Sequence, residues 1–245
     1  MIGLACAVLA GRVVSASTVE FDSLDERDGQ PVRPKAHWLP APRALPRAPA
    51  AVLLHGCGGL HARDGRLSER MLDYAALLHG LGMHALVVDS LAPRGQTELC
   101  TQALGRRAAT QAHRRLDALA ALAWFGRRAD VDADRLGLIG WSNGASTVLA
   151  GSNLRHRQVS VHRSSLEFAV AFYPECEAEL NRGYAPSARL LPLIGAADDW
   201  IPPCPDCNSR RRPPIRNRRS SPTPGHITAS TVQPRYGCDA MCRVA

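Results

Sequence analysis

The sequence predicts an α/β fold, with a mostly parallel, doubly wound sheet covered by helices on both faces. Three observations lead there. Short runs that are apolar at every position recur along the chain, as in Ala51-Val52-Leu53-Leu54, Ala85 to Val88 and Leu136 to Ile139. Longer segments of helical spacing separate them. The runs end in loops rich in Gly, Asp and Ser. A strand without polar alternation is buried on both faces, as parallel strands are. The chain has 245 residues, 45% of them hydrophobic and 21% charged, which suits one globular domain. Aromatics are 5%, so the core must rely on Ala, Leu and Val. The longest apolar run, Met1 to Gly11, is too short to span a bilayer.

Residues 1–17 read as a truncated signal peptide. Ile2 to Leu9 is apolar and Ser15-Ala16-Ser17 offers small residues for cleavage, although no basic residue precedes the run. This reading expects a periplasmic or secreted protein, and a first strand with a cytoplasmic location is the alternative. Residues 18–50 form an extended, Pro-rich segment, with six prolines between positions 30 and 49. The regular alternation then begins. Ala51–Leu54 is a strand ending in the loop His55-Gly56-Cys57-Gly58-Gly59. Leu67 to Leu81 has helical spacing. Ala85–Val88 is a strand closed by Asp89-Ser90, and Ala103 to Arg128 is one long Ala-rich helix. Leu136–Ile139 is a strand, and Thr147 opens a helix. Phe168–Phe172 and Leu190–Ile194 complete the strands. In such sheets the site lies in loops at the carboxyl ends of the strands.

Charge is uneven. Asn208 to Ala245 carries eight Arg and one Asp, a net +7 of the chain's +8, which leaves the preceding residues at +1. The tail has almost no aromatics to stack bases, so nucleic acid is not an expected partner, and neither is a membrane. The eight cysteines permit disulfides in an oxidising compartment. Cys176 and Cys204 follow strands on the same sheet edge and are the expected pair. Cys204 and Cys207 stand in a C-x-x-C without a second motif at zinc spacing, so no metal site is expected.

Gly140-Trp141-Ser142-Asn143-Gly144 sits between a strand and a helix. In that context G-x-S-x-G is a nucleophile elbow: a turn so tight that its flanks must be small, with the serine hydroxyl lifted above the sheet. Serine needs a base, and the acyl transition state needs oxyanion donors. The Asn143 backbone N–H is one donor. An N–H in the His55–Gly59 loop, with Cys57 the first candidate, is the other. His55 precedes the nucleophile and reads as a structural residue fixing that loop. The carboxylate that orients the base should follow a late strand, where Asp198 and Asp199 stand in Gly195-Ala196-Ala197-Asp198-Asp199-Trp200-Ile201-Pro202.

The segments L-L-H-G-C-G-G-L, V-V-D-S-L-A-P-R-G, L-G-L-I-G-W-S-N-G-A and L-I-G-A-A-D-D-W-I-P-P together resemble the dienelactone hydrolase family of α/β hydrolases. The resemblance covers residues 51–207, read as the hydrolase domain. It implies the α/β-hydrolase fold and cleavage of small esters or lactones without metal or organic cofactor, and the chain is expected to be a monomer. It also implies Ser142 as nucleophile, where the founding enzymes have Cys, and Asp198 as the acid. Cys57 and Asn143 match the oxyanion positions, and Arg94 matches a residue of a loop bordering the substrate.

One family part is missing. The catalytic histidine should follow Asp198 in a stretch like Y-P-G-A-Y-H-G-F-D. Residues 208–245 hold only His226, in P-G-H-I-T-A-S, with no apolar strand. Reading the third base of each codon with the first two of the next, from Pro222 to Thr231, permits Tyr-Pro-Gly-Ala-Tyr-His-Gly-Phe-Asp in that order. The tail is therefore expected to be frameshifted, and activity to be impaired. The alternative is a non-catalytic, ligand-binding pseudoenzyme.

Overall fold

The computed structural model describes residues 16–42, 45–162 and 166–195, together with Asp198. The apolar run of residues 1–15, Asp199, the C-x-x-C pair, the basic tail and His226 lie outside the described residues.

Seven strands form one sheet. They are β1 (Ser17–Glu20), β4 (Lys35–Leu39), β5 (Ala48–Leu54), β6 (His84–Asp89), β7 (Val131–Trp141), β8 (Leu166–Phe172) and β9 (Arg189–Leu193). Their order is β1-β4-β6-β5-β7-β8-β9. From β6 to β9 all neighbours are parallel, while β4 pairs antiparallel with β6 and β1 with β4. The two-residue strands β2 (Glu26–Arg27) and β3 (Gln30–Pro31) make a separate ribbon.

The expected alternation is present, and it buries both faces. Val52, Leu54, Leu86, Val88, Leu136 and Leu138 point to one core, against α2 (Gln111–Gly126) and α3 (Asn143–Ser152). Their chain neighbours Ala51, Leu53, Ala85, Val87 and Ile139 point to the other, against α1 (Glu69–Gly80). Each fully buried Leu or Val contributes roughly 1.5–3 kcal/mol. Two short helices, α4 (Arg157–Val161) and α5 (Glu177–Asn181), lie further along the chain.

Three expectations are corrected. Residues 18–50 are not merely a connection, because β1 and β4 extend the sheet there. Pro34 and Pro40 bracket the five proline-free residues of β4, which is why a strand fits between them. The long helix over Ala103–Arg128 is split: a 3-10 turn covers Leu104–Arg106, and α2 starts at Gln111. Thr110 sets that start through a reciprocal capping box: its hydroxyl accepts from the His113 N–H, and the His113 ring Nδ1 accepts from the Thr110 N–H. The helix near Leu67–Leu81 is shorter than its apolar spacing, and Leu77 and Leu81 stand 63% and 74% exposed.

A buried ion network locks the N-terminal segment to the body. Arg94 donates to both Asp117 carboxylate oxygens at 2.8 and 3.0 Å, to Asp25 at 2.6 Å and to the Ser90 carbonyl at 2.7 Å. Ser23 donates to Asp117 at 2.6 Å. Asp117 is 0% exposed and Arg94 6%. Removing one partner of such a pair leaves an uncompensated buried charge. Asp117→Ala is therefore expected to destabilise the fold by about 3–5 kcal/mol in urea unfolding. A loss below about 1 kcal/mol would mean that the pair is not a buried lock.

Burial holds His37, His55, His84 and His156 below the ordinary imidazole range, and it pushes His55, with the Arg114 charge beside it, down to about 3. The folded state then refuses protons that the unfolded chain accepts. Stability is complete above the unfolded value of 6.5 and falls as the pH drops from there toward 3. His55 alone contributes a slope approaching about 1.4 kcal/mol per pH unit within that window. Urea midpoints should be flat from pH 7 to 8 and drop between pH 6 and 4, less steeply in His55→Gln. Equal slopes in the two proteins would remove His55 as a cause.

Candidate active site

Strand β7 ends at Trp141, and Ser142 turns the chain into α3 with φ 51° and ψ −120°. A non-glycine residue with positive φ costs of order 1–3 kcal/mol and persists only when its surroundings fix it. Here the Ser142 N–H donates to the Phe172 carbonyl at 2.9 Å, and the Ser142 carbonyl accepts from the Ser146 N–H at 2.9 Å. The flanking glycines are required sterically. A Cβ on Gly140 would stand 2.4 Å from the Gly144 carbonyl oxygen, and a Cβ on Gly144 would stand 2.1 Å from that of Leu54. G-x-S-x-G is thus an elbow packed onto the end of β5, as its spacing predicts.

That packing brings the oxyanion loop alongside. A Cβ on Gly56 would lie 3.6 Å from Ser142 Cβ, so the residue before Cys57 faces Ser142. Neither the Cys57 nor the Asn143 backbone N–H has an acceptor among the described residues. The loop is held from outside. Cys57 is disulfide-bonded to Cys100, its carbonyl accepts from the Leu99 N–H at 2.7 Å, and Gly59, at φ +87°, has no room for a side chain beneath the Thr97 carbonyl. His55 caps β5 with its Nδ1–H donating to the Gly56 carbonyl at 2.8 Å. Asp89 stands 3.9 Å from Nε2, but a neutral imidazole makes no ion pair there. His55 fixes the loop, as its chain position suggests.

Asp198 lies in the turn after β9, its N–H donating to the Gly195 carbonyl at 3.2 Å. The structure thus sets Ser142, Cys57 and Asp198 after β7, β5 and β9, on one edge of the sheet. Among the described residues no histidine hydrogen-bonds to Ser142. Arg94 is committed to Asp117, Asp25 and Ser90, so its guanidinium serves the ion network. Among the described residues no group of three His, Cys, Asp or Glu is placed to hold a metal ion.

Two features escape the sequence reading. One is the Cys57–Cys100 disulfide, although both cysteines follow neighbouring parallel strands and their topology could have paired them. Cys176 is also disulfide-bonded, and its expected partner, Cys204, lies outside the described residues. The other is the amino-terminal end of α2. Gln111 donates to the Asn143 carbonyl at 3.1 Å and accepts from the Thr147 hydroxyl at 2.6 Å. Arg114 donates from Nη1 to Asn143 Oδ1 and from Nη2 to the His55 carbonyl, the latter at 2.7 Å. Nothing in A-H-R-R-L-D marks Arg114 as different from Arg115.

No protein-family model matches the sequence, and no curated protein is significantly similar to it. Solved structures are similar. A protein assigned as a dienelactone hydrolase from Klebsiella pneumoniae superposes with TM-score 0.56 at 20% identity, over 77% of this chain and 76% of that one. A dienelactone hydrolase-like promiscuous phosphotriesterase from metagenomic libraries gives 0.54 at 20% identity, over 75% and 70%. The α/β hydrolase GrgF from Penicillium sp. sh18 gives 0.49 at 18% identity, and this chain spans only 48% of its length. With the nucleophile elbow at the end of β7, the described chain has the α/β-hydrolase fold.

Proposed function

We propose that the chain is a serine hydrolase of the dienelactone hydrolase kind, cleaving small carboxylic esters or lactones. The observation that carries this reading is Ser142, held at positive φ in a G-x-S-x-G turn against the Gly56 loop, with no acceptor for the Cys57 or Asn143 N–H among the described residues. Ser142 Oγ attacks the carbonyl carbon while its proton passes to an imidazole. The Cys57 and Asn143 N–H groups hold the oxyanion, and collapse expels an alcohol that takes the proton. Water then attacks the acyl-enzyme by the same route and releases the acid. Asp198 orients the imidazole. Trp141 and Phe172, stacked at 5.4 Å and met edge-on by Tyr74, give an apolar wall beside the elbow.

The imidazole is the weak point. The frame reading places the intended histidine across the junction of the Ile227 and Thr228 codons, and His226 is not it. A triad without its base keeps roughly 10³–10⁴ over water, so the chain as written is a poor catalyst. The absence of any described histidine at Ser142 favours the second reading, a ligand-binding pseudoenzyme, if the frame proves intact. Export to the periplasm or beyond fits the disulfides and is proposed with the function.

A fluorophosphonate probe should label Ser142 where a base and the oxyanion hole are assembled, and Ser142→Ala should abolish that adduct in the mass spectrum. No label on a chain folded by circular dichroism would favour the pseudoenzyme. In the coding DNA, the Ile227–Thr228 junction should spell CAC, downstream of a one-base change between about Cys204 and Arg218. Restoring the frame should raise esterase turnover by orders of magnitude. Any other triplet at the junction sinks the frame proposal, and so does a restored chain no more active than this one.

A further inference from the structure

We infer that Arg114 is a positioning residue of the oxyanion site, tying the nucleophile elbow to the oxyanion loop and leaving a buried positive charge behind both donors. The inference rests on the serine-hydrolase reading.

Arg114 is 0% exposed. A buried cation is costly unless paired with a carboxylate or needed for its charge. Among the described residues no carboxylate stands within ion-pair distance of it, and the Asp117 and Asp89 charges favour it only from farther off. Asp117, one turn away, spends both oxygens on Arg94 and Ser23, and Asp89 accepts from the Leu91 and Ala92 N–H groups. The two acceptors that Arg114 has are neutral, and they are telling. Asn143 Oδ1 belongs to the residue after the nucleophile, and the His55 carbonyl belongs to the loop that presents Cys57. Nε has no partner among the described residues.

A pure packing role would be served better by an apolar side chain of similar volume. A fork that reaches two separate loops is what guanidinium offers and ammonium does not. Gln111, three residues earlier on α2, holds the Asn143 carbonyl from the same side. Burial lowers Arg114 only to about 10, so it remains charged at neutral pH. Its charge also helps to keep His55 neutral. Charge developing on an oxyanion between the Asn143 and Cys57 N–H groups would meet this field without reorganisation.

The test compares the full chain with Arg114→Met, Arg114→Lys and Asn143→Ala. Phosphonylation of Ser142 by a fluorophosphonate is resolved into reversible binding and maximal rate, and amide exchange is followed in peptides covering residues 53–60 and 140–146. Arg114→Met is expected to slow the maximal rate about 10-fold or more while reversible binding changes less than about twofold. Exchange should rise in both loops and stay unchanged in β5–β7. Arg114→Lys, which keeps the charge without the fork, should recover part of the rate. Asn143→Ala removes only the acceptor and should slow the reaction even if Arg114→Met fails to fold. Wild-type rate and loop protection in Arg114→Met would overturn the inference. So would exchange rising across the whole sheet with no recovery by lysine, which marks a structural role. An unlabelled wild type would instead show that this chain lacks an assembled base at Ser142, and loop exchange would still decide whether Arg114 joins the loops.

Discussion

The contact between Gly144 and the end of β5 governs the geometry of the site. A Cβ on Gly144 would overlap the Leu54 carbonyl and approach that of His55 at 2.5 Å, so α3 begins pressed against the neighbouring strand. That approach forces Ser142 into positive φ and lets Gly56 meet it. Chain register between β5 and β7, with Leu54 opposite Gly140, keeps the two loops level. Ser142 and the two backbone N–H groups proposed as its oxyanion donors are therefore brought level by a backbone-to-backbone contact, which the disulfide and the Arg114 fork then brace.

Two arginines show how differently burial can be used. Arg94 meets two carboxylates and a carbonyl, so its charge is neutralised and the network closes the N-terminal segment over α2. Arg114 meets only neutral oxygens. The first arrangement is closed by direct ion pairs, and in the second the Asp117 and Asp89 charges act only from beyond hydrogen-bond reach. Stability explains Arg94 fully. Arg114 asks for a different explanation, and the only groups it touches belong to the site.

The sheet was legible because its strands are apolar at every position, a pattern that burial on both faces demands. The elbow was legible because its sterics admit only small flanking residues, so the sequence must write G-x-S-x-G. Arg94 was misplaced because its motif, P-R-G, fixes a loop but not where a long side chain points. Arg114 was invisible because its role depends on a helix face meeting a loop more than fifty residues away, for which no local pattern exists. The split of the Ala103–Arg128 segment was missed for a smaller reason. Ala-rich composition favours helix throughout, and a single capping threonine decides where it starts.

The parts of the site are separable in kind. The proposed oxyanion donors and the elbow lie after β5 and where β7 meets α3, and hydrogen bonds from α2, a disulfide and packing hold them among the described residues. Asp198, proposed as the orienting carboxylate, follows β9. A base, in this fold, must come from the chain after it. A chain without its base would still hold both N–H groups where the described contacts put them. Such a chain would keep its affinity for a tetrahedral, negatively charged ligand while losing turnover. Affinity for that geometry and proton transfer are distinct contributions to catalysis, and this architecture assigns them to different strands.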